Sequence, residues 1–217
     1  MGPHDAGRFI TLEGIEGVGK STNREFVVER LRSQGIDVVV TREPGGVPLA
    51  ERIREILLAP DSTAPTADAE LLLMFAARAC HLEQLIRPAL ARGQWVVCDR
   101  FTDASYAYQG AGRGCGSEAV RTLEALVQKD FRPDLTLLLD ADWDVSSARR
   151  AKRGTSDRFE QETRLFFETV RVEYLRRAAL EPQRVSIVAA GRSLSEVQSE
   201  LGQIIDRFVS RNFNKKI

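Results

Sequence analysis

The sequence has few of the residues that bind structural metals or form disulfide frameworks. Its 217 residues include three cysteines and two histidines, and no C-x-x-C pair occurs. This scarcity argues against a zinc site and a disulfide scaffold, and it favours a reducing cytoplasm as the location. No apolar run approaches the ~18 residues of a membrane span. Residues 1–8 lack the apolar core of a signal peptide and are expected to form a loose leader.

Net charge is also absent, because 31 Lys and Arg residues balance 31 Asp and Glu residues. A balanced chain is not expected to be a general nucleic-acid binder, although local basic clusters can still hold single phosphate groups. The length suits one α/β domain with a well-buried core. We expect that domain to span residues 9–213.

The clearest motif is a glycine-rich stretch from Gly14 to Ser21, here called the phosphate loop, which fits the pattern G-x-x-x-x-G-K-[ST]. A β-prone run precedes it, and a helical pattern follows over residues 20–33 with Gly35 as its cap. Such a strand–turn–helix points backbone N–H groups and the positive end of the helix dipole at one spot. Lys20 adds a charge for the outer phosphates, and the Ser21 hydroxyl can ligate Mg²⁺.

The stretch therefore predicts an ATP-binding loop, and the alternative is a chance match in an ordinary turn. The predicted ATP-binding residues are Gly14, Ile15, Glu16, Gly17, Val18, Gly19, Lys20, Ser21 and Thr22.

Strand and helix patterns alternate along the rest of the chain. Strands are predicted at 37–41, 95–100, 135–140 and 185–188, and helices at 48–59, 68–92, 117–129, 144–152, 159–179 and from 193 onward. The alternation predicts an α/β protein of the P-loop NTPase fold, with a five-stranded parallel sheet and helices on both faces. The apolar run 37–41 predicts a strand buried on both faces. The glycine-rich stretch 101–116 predicts a mobile segment, and the chain beyond 181 carries little motif information.

Three polar clusters follow predicted strand ends or interrupt helices. They are residues 42–46, residues 99–109 and the basic run 149–158 around Gly154. Ligands bind at the carboxyl ends of parallel strands, so Arg42 and Arg100 indicate a second phosphate site suited to bidentate guanidinium groups. Asp99 is suited to hold Mg²⁺ through water. The basic run predicts a mobile lid at about 146–158.

Each cluster also has a purely structural interpretation. Arg42 and Arg100 could form surface ion pairs with Glu43 and Asp99. Arg78 could be a solvated helix edge, and the basic run could be a solvated face. The aromatic residues could simply pack, and His81 could lie on the helix surface or pack against another helix. The following residues are open to these readings: Phe75, Arg78, His81, Tyr106 and Tyr108.

Taken together, the motifs resemble those of bacterial thymidylate kinases. The resemblance runs from about residue 8 to about residue 180. The Arg-Glu-Pro-Gly-Gly stretch at 42–46, combined with Tyr-Gln-Gly at 108–110, is far more specific than the phosphate loop alone. The other matching stretches are 14–22, 75–78, 99–101 and 157–160.

The resemblance implies that ATP, bound with Mg²⁺, gives its γ-phosphoryl group to dTMP and so forms dTDP. It implies that Arg42 and Arg100 hold the dTMP phosphate, that Phe75 stacks on thymine and that Tyr106 lies against the sugar. Arg78, Ser105 and Gln109 would bond the base edge, and Glu16 would meet the 3′-hydroxyl. The predicted substrate-binding residues are Glu16, Arg42, Pro44, Phe75, Arg78, Arg100, Ser105, Tyr106 and Gln109.

The chemistry needs alignment and charge neutralisation rather than a strong base, because a phosphate nucleophile is already anionic. The variable positions of the phosphate loop contain no basic residue. We therefore expect Arg153, helped by Arg149 and Arg158, to supply the extra cation from the lid. The predicted catalytic residues are Lys20, Arg153, Arg149, Arg158, Asp99 and Glu16, with Ser21 and Asp99 as metal ligands.

Two other functions remain open at this point. One is a kinase for another nucleoside monophosphate or for a deoxynucleoside, and the other is a nucleotide-dependent switch. The apolar helix at 68–92, together with the resemblance, predicts a homodimer. No nucleic-acid or membrane partner is expected.

Overall fold

The structure, a computed structural model, describes residues 7–59, 64–151 and 158–213. Five strands within these ranges form one parallel sheet in the order β2-β3-β1-β4-β5, which confirms the predicted sheet. The strands are β1 (Phe9–Glu13), β2 (Val38–Arg42), β3 (Trp95–Asp99), β4 (Leu135–Asp140) and β5 (Val185–Ala189). The chain forms β2 and β3 on one side of β1 and then crosses to β4 and β5 on the other side. Ligands are therefore expected where the strand order reverses, beside β1.

Helices connect the strands. They are α1 (Lys20–Ser33), α2 (Pro48–Leu58), α3 (Ala67–His81), α4 (Arg87–Ala91), α5 (Thr102–Ser105), α6 (Gly116–Val127), α7 (Trp143–Ala151), α8 (Arg164–Leu180) and α9 (Leu194–Phe213). Two π-helical segments, Leu82–Ile86 and Tyr106–Gly112, join α3 to α4 and extend α5. None of the helices in the described residues is long and apolar enough to cross a membrane.

Both faces of the sheet are covered, because alternate side chains of a strand point to opposite sides. Val97 of β3 belongs to the larger core, which also contains Val27 of α1 and Leu201 of α9. Its neighbour Val96 packs on the other face with Leu82. The phosphate loop and the strand-end side chains are thus attached to a sheet that is held rigidly from both sides.

The expectation for residues 37–41 was wrong in one respect. β2 is an edge strand, paired only with β3, and Val40 is 39% exposed. A continuous apolar run reflects two covered faces in a central parallel strand, but three valines in a row at an edge give the same pattern.

The expectation of a mobile segment at 101–116 was also wrong. Thr102–Gly112 is helical, and residues 101–110 are buried. Its glycines allow close packing rather than motion, because a Cβ on Gly112 would lie 2.6 Å from the ring of Phe166 in α8.

The predicted helix over 68–92 is present but widens into the π turn before Pro88, where the missing N–H interrupts the α-helical ladder. The helix predicted from 193 onward begins with a capping box, since the Ser193 N–H donates to Glu196 and the Glu196 N–H donates to the Ser193 hydroxyl. At the other end of the chain, the N–H of Gly7 donates to the Leu90 carbonyl, so the predicted leader is not loose at residue 7. Residues 1–6 lie outside the described residues.

Candidate active site

The phosphate loop links β1 to α1 through backbone conformations that favour glycine. The φ angles of Gly14, Gly17 and Gly19 are 133°, 84° and 93°. A Cβ on Gly17 would lie 2.2 Å from the carbonyl oxygen of Ser146 in α7, so no larger residue fits there. The Lys20 ammonium donates to the carbonyls of Gly14 (3.0 Å) and Ile15 (2.9 Å). Two carbonyls of the phosphate loop therefore hold the Lys20 ammonium beside that loop.

Arg100 follows β3 and reaches across the sheet to the phosphate loop. Its guanidinium donates to the Gly14 carbonyl (3.0 Å) and to a Glu16 carboxylate oxygen (2.6 Å). It also donates to the hydroxyls of Tyr108 (3.0 Å) and Tyr174 (3.1 Å). One side chain thus ties the phosphate loop to α8 and to the π-helical segment that follows α5.

The backbone at Arg100 has a φ of 69°, which is strained for a residue other than glycine. The buried Glu13 carboxylate holds it by accepting from the N–H of the next residue, Phe101 (2.7 Å), and from the Tyr174 hydroxyl (2.8 Å). Burial, together with the nearby charge of Asp103, raises the pKa of Glu13 to about 7.

The charges at the loop act on one another. Burial and the neighbouring Arg100 lower the pKa of Lys20 to about 8, against the opposing effect of Asp99 and Glu16. Burial acts to raise the pKa of Glu16, but Arg100 and Lys20 outweigh it and bring that pKa below its ordinary value. An added anion such as a phosphate would therefore restore the full charge on Lys20.

A cavity of about 180 Å³, here called the phosphate cavity, opens beside the loop. Lys20 and Ser21 line it from one side, and Arg42 and Arg100 line it from the strand ends. The other lining residues are Glu16, Gly17, Glu43, Arg54, Asp99 and Glu160. Four basic side chains thus converge on one space that is large enough for phosphate groups.

The residues present fit a magnesium ion in this cavity. Asp99 presents a buried carboxylate oxygen that has no hydrogen-bond partner within the described residues, and the Ser21 hydroxyl lines the same space. The described residues contain no cluster of three or more His, Cys, Asp or Glu side chains that could hold a metal. Mg²⁺ suits such a sparse site, because it is usually held by one or two protein oxygens together with substrate phosphates and water.

A second, smaller cavity of about 70 Å³ adjoins the first, and we call it the nucleoside cavity. Its lining residues are Glu16, Glu43, Pro44, Arg54, Leu58, Met74, Arg100, Ala104, Tyr108, Gln109 and Phe159. Because Glu16, Glu43, Arg54 and Arg100 line both cavities, the two spaces lie side by side. Apolar walls with few polar groups are typical of a site for a small organic ligand.

Two buried polar side chains lie at or next to the nucleoside cavity, since Gln109 lines it and Arg78 bonds the lining residue Glu43. Arg78 is 1% exposed and donates to Glu43 (2.8 Å) and to the Ser105 hydroxyl (2.9 Å). Its Nη1 has no partner within the described residues. Gln109 donates through Nε2 to Glu70 (2.8 Å), whereas its Oε1 is likewise buried and unpartnered in the part of the chain that is described. One donor and one acceptor are therefore unused here.

A third cavity, of about 280 Å³, lies on the outer side of the phosphate loop and is here called the outer cavity. Arg149 of α7 lines it and donates to the Ala190 carbonyl at the end of β5 (2.9 Å). The other lining residues are Gly17, Val18, Gly19, Thr22, Asn23, Ala190, Arg192, Leu194 and Val197. This space continues the phosphate loop away from the nucleoside cavity.

Comparison with known proteins identifies the group to which this arrangement belongs. A family model described as thymidylate kinase matches residues 12–201, which is most of the chain. The chain belongs to the thymidylate kinase family. It is 60% identical to the thymidylate kinase of Pseudomonas entomophila (strain L48) over 206 residues, covering 95% of this chain and 98% of that protein. It is also 60% identical to that of Ectopseudomonas mendocina (strain ymp) over 199 residues, covering 92% and 95% respectively.

The structure brings most of the predicted site residues of this thymidylate kinase homologue together. Those that line the phosphate or nucleoside cavity are Glu16, Gly17, Lys20, Ser21, Arg42, Pro44, Asp99, Arg100 and Gln109. Those that line the outer cavity are Gly17, Val18, Gly19, Thr22 and Arg149. Arg42 pairs with Glu51 (2.9 Å) rather than with Glu43, the partner that the structural interpretation suggested.

Two aromatic residues lie elsewhere than expected. Phe75 and Tyr106 pack in an apolar cluster with Leu71 and Val120, and neither lines a cavity described above. The Tyr106 hydroxyl donates to Glu124 (2.6 Å). Met74, one position before Phe75, and Tyr108, two positions after Tyr106, line the nucleoside cavity. Neighbouring residues of a helix point in different directions, so a motif alone does not show which one faces the ligand.

The lid arginines are also separated. Arg158 donates to Glu70 (2.6 Å) and to the Leu57 carbonyl (3.0 Å), so it faces α3 rather than the phosphate loop. Residues up to Ala151 of the predicted lid continue helix α7. Arg153 and the break expected at Gly154 lie outside the described residues.

Sequence reasoning missed several residues that line the cavities. Arg54 lines both the phosphate and nucleoside cavities, and Met74, Tyr108 and Phe159 line the nucleoside cavity. His81, expected to lie on the helix surface or to pack against another helix, is fully buried and bonds Thr41 (2.7 Å) and Glu43 (3.0 Å). Residues 190–197 were missed because they match no ligand-binding motif, and the sheet order brings the end of β5 close to the phosphate loop.

Proposed function

We propose that the chain transfers the γ-phosphoryl group of ATP to dTMP, which yields ADP and dTDP. The observation that carries this proposal is the phosphate cavity, where Lys20 of the ATP loop and the strand-end residues Arg42 and Arg100 line one space. Two polyanionic ligands can meet there without an intervening wall. The alternative, a kinase for another nucleoside monophosphate or for a deoxynucleoside, is not favoured, because the chain is highly identical to thymidylate kinases over nearly its whole length.

On the ATP side, the phosphate loop binds the phosphates through its backbone N–H groups and Lys20. We assign the outer cavity to the adenosine part, because it continues from the same loop and is lined by Arg149 and Leu194. Ser21 and Asp99 would hold the magnesium ion, which when bound neutralises charge on the ATP phosphates.

On the dTMP side, Arg42, Arg54 and Arg100 surround the phosphate. The base enters the nucleoside cavity and lies against Met74, whose thioether suits contact with a flat ring. Tyr108 takes the place beside the sugar that the resemblance gave to Tyr106.

The base and the 3′-hydroxyl meet the buried polar groups. Arg78 Nη1 is a donor for the C4 carbonyl of thymine, and Gln109 Oε1 is an acceptor for its N3–H. Glu16 accepts from the 3′-hydroxyl, while Arg100 and Tyr108 fix its carboxylate in place.

In the transfer step, an oxygen of the dTMP phosphate forms a bond to the γ-phosphorus as the bond from that phosphorus to the β–γ bridging oxygen breaks. The oxygen is already anionic, so no side chain needs to remove a proton. Lys20, Arg100 and a lid arginine neutralise the moving charge. Arg149 and Arg153 are left for this role, because Arg158 faces α3. Arg149 lies at the outer cavity, and the role of Arg153 remains a prediction.

We also propose that the protein works in the cytoplasm, where ATP is abundant. We further propose that two copies associate through α3 and α6. Leu72 of α3 and Leu126 of α6 are 57% and 72% exposed, although both are large apolar side chains. A Leu72→Glu variant should sediment as a monomer, with the exposed Leu180→Glu of α8 as a matched control that leaves the dimer intact. A wild type that sediments as a monomer at micromolar concentration would contradict the dimer.

The function is tested by coupling ADP release to an optical readout. Turnover with dTMP should exceed turnover with dUMP, dCMP and thymidine, and ATP consumption without an acceptor should be small. Arg54→Ala should raise the KM for dTMP because it removes a charge from the phosphate cavity, whereas Arg52→Ala, two residues away on the exposed face of α2, should not. Faster turnover of thymidine than of dTMP would overturn the assignment.

A further inference from the structure

Glu70 lies behind the nucleoside cavity and does not line it, yet it is fully buried. It stands near the start of α3, two turns before Arg78. Its carboxylate accepts from Gln109 Nε2 (2.8 Å), from Arg113 Nε (3.3 and 3.2 Å) and from Arg158 Nη2 (2.6 Å). A side chain from α3 is thereby bonded to the π-helical segment and to the chain that follows residue 157.

We infer that Glu70 is a positioning residue that selects the base by fixing the orientation of the Gln109 amide. This inference rests on the proposed function, since it assumes that the base of dTMP enters the nucleoside cavity.

Glu70 forms ion pairs with the guanidinium groups of Arg113 and Arg158. A carboxylate in such ion pairs only accepts hydrogen bonds. The end of the Gln109 amide that faces Glu70 is therefore the NH₂ group. The carbonyl oxygen at the other end is buried and has no hydrogen-bond partner within the described residues, and Gln109 lines the nucleoside cavity.

A fixed carbonyl acceptor discriminates among pyrimidines. Thymine and uracil carry an N3–H that donates to Gln109 Oε1, whereas N3 of cytosine is itself an acceptor and leaves that buried oxygen unpaired. A buried acceptor without a donor lowers affinity roughly five- to 150-fold, which corresponds to about 1–3 kcal/mol. Arg78 adds a second discrimination at C4, because its free Nη1 donates to a carbonyl but not to an amino group.

The four contacts to Glu70 also explain why it can impose one orientation. Gln109 bonds one oxygen, Arg158 bonds the other, and Arg113 is shared between them. A carboxylate held at both oxygens cannot turn away, so rotation of the Gln109 amide would set a carbonyl against it at a large electrostatic cost.

The test is the ratio of kcat/KM for dTMP to kcat/KM for dCMP in Glu70→Gln. A glutamine at position 70 can donate as well as accept, so the Gln109 amide can rotate to offer its NH₂ group to N3 of cytosine. The ratio should fall about tenfold or more, chiefly through the KM values. Part of the discrimination against dCMP should persist, because Arg78 is unchanged.

Arg113→Gln is the matched control. It removes one ion pair of Glu70 but leaves the carboxylate and its bond to Gln109, so the ratio should stay within about twofold of wild type. A folded Glu70→Gln variant with an unchanged ratio would overturn the inference, as would an equal loss in Arg113→Gln. Wild type that fails to phosphorylate dTMP would instead refute the proposed function.

A second measurement does not depend on the folding of a variant. In the wild-type complex with dTMP, selectively labelled glutamine should show NMR contacts from the Gln109 side-chain amide protons to the Glu70 methylene protons. Contacts from these amide protons to the nucleotide, with none to Glu70, would show the opposite orientation and refute the inference.

Discussion

The pH dependence of ATP binding offers a direct test of the charge balance at the phosphate loop. Burial and Arg100 lower the pKa of Lys20 to about 8 in the nucleotide-free protein. Bound phosphates favour the charged ammonium, so above pH 8 a proton must be taken up before ATP binds. The depressed pKa therefore weakens binding as the pH rises and leaves it unaffected below about pH 7.

The size of the effect follows from the titration. With a pKa of 8, Lys20 is about nine-tenths charged at pH 7 and about one-tenth charged at pH 9, so the Kd should rise about tenfold, or ~1.4 kcal/mol. Glu13, with a pKa of about 7, is ionised through the upper half of this range and adds no further change there. The tyrosines at the site do not interfere, because burial raises the pKa values of Tyr108 and Tyr174 well above 10.

The measurement is calorimetric titration with a non-hydrolysable ATP analogue and Mg²⁺ in buffers of different ionisation enthalpy. It should give an uptake of about half a proton per site at pH 8. Lys20→Arg is the matched control, since a guanidinium stays charged and its affinity, whatever its absolute value, should not change with pH. A flat profile in wild type, or the same loss in the arginine variant, would refute the reasoning.

Three further predictions concern packing around the site. Met74→Leu should change the KM for dTMP with little loss of stability, whereas Phe75→Leu should lower the free energy of unfolding by about 1–3 kcal/mol and leave that KM unchanged. Kinetics and urea denaturation measure the two effects separately. The reversed pattern would indicate that Phe75, and not Met74, contacts the base. Gly17→Ala should abolish tight ATP binding in a folded protein, because its Cβ would clash with the Ser146 carbonyl at 2.2 Å; normal affinity by titration would contradict this. Asp103→Asn should cost about 3–5 kcal/mol at pH 7, because Asp103 is buried between two arginines that lower its pKa. The pKa is depressed in the folded state, so the difference from wild type should be present above about pH 4 and shrink as the pH falls further, which denaturation at several pH values would show.

Much of the fold could be predicted from local pattern. Helix α1 and strand β4 have the predicted bounds, and the phosphate loop sits between strand and helix as its spacing requires. These features depend on residues close in sequence, namely glycine at positive φ, alternating apolar positions and caps, so a single sequence contains the information.

What lay beyond sequence reasoning depended on contacts between distant segments. A π turn has more residues per turn than an α-helix, so Tyr106–Gly112 presents Tyr108 and Gln109 to the nucleoside cavity, while Tyr106 faces Glu124. The glycines of this segment seemed to indicate mobility, yet Gly112 packs against Phe166, a residue more than fifty positions away.

The sequence by itself determined a glycine-rich loop between a strand and a helix, with arginines at neighbouring strand ends. Only the tertiary structure decided which side chains line the two cavities and which support those side chains from behind. The reason is physical: the direction of a side chain depends on helix register and on the packing of α3, α8 and the π segment against one another, and no local motif specifies these.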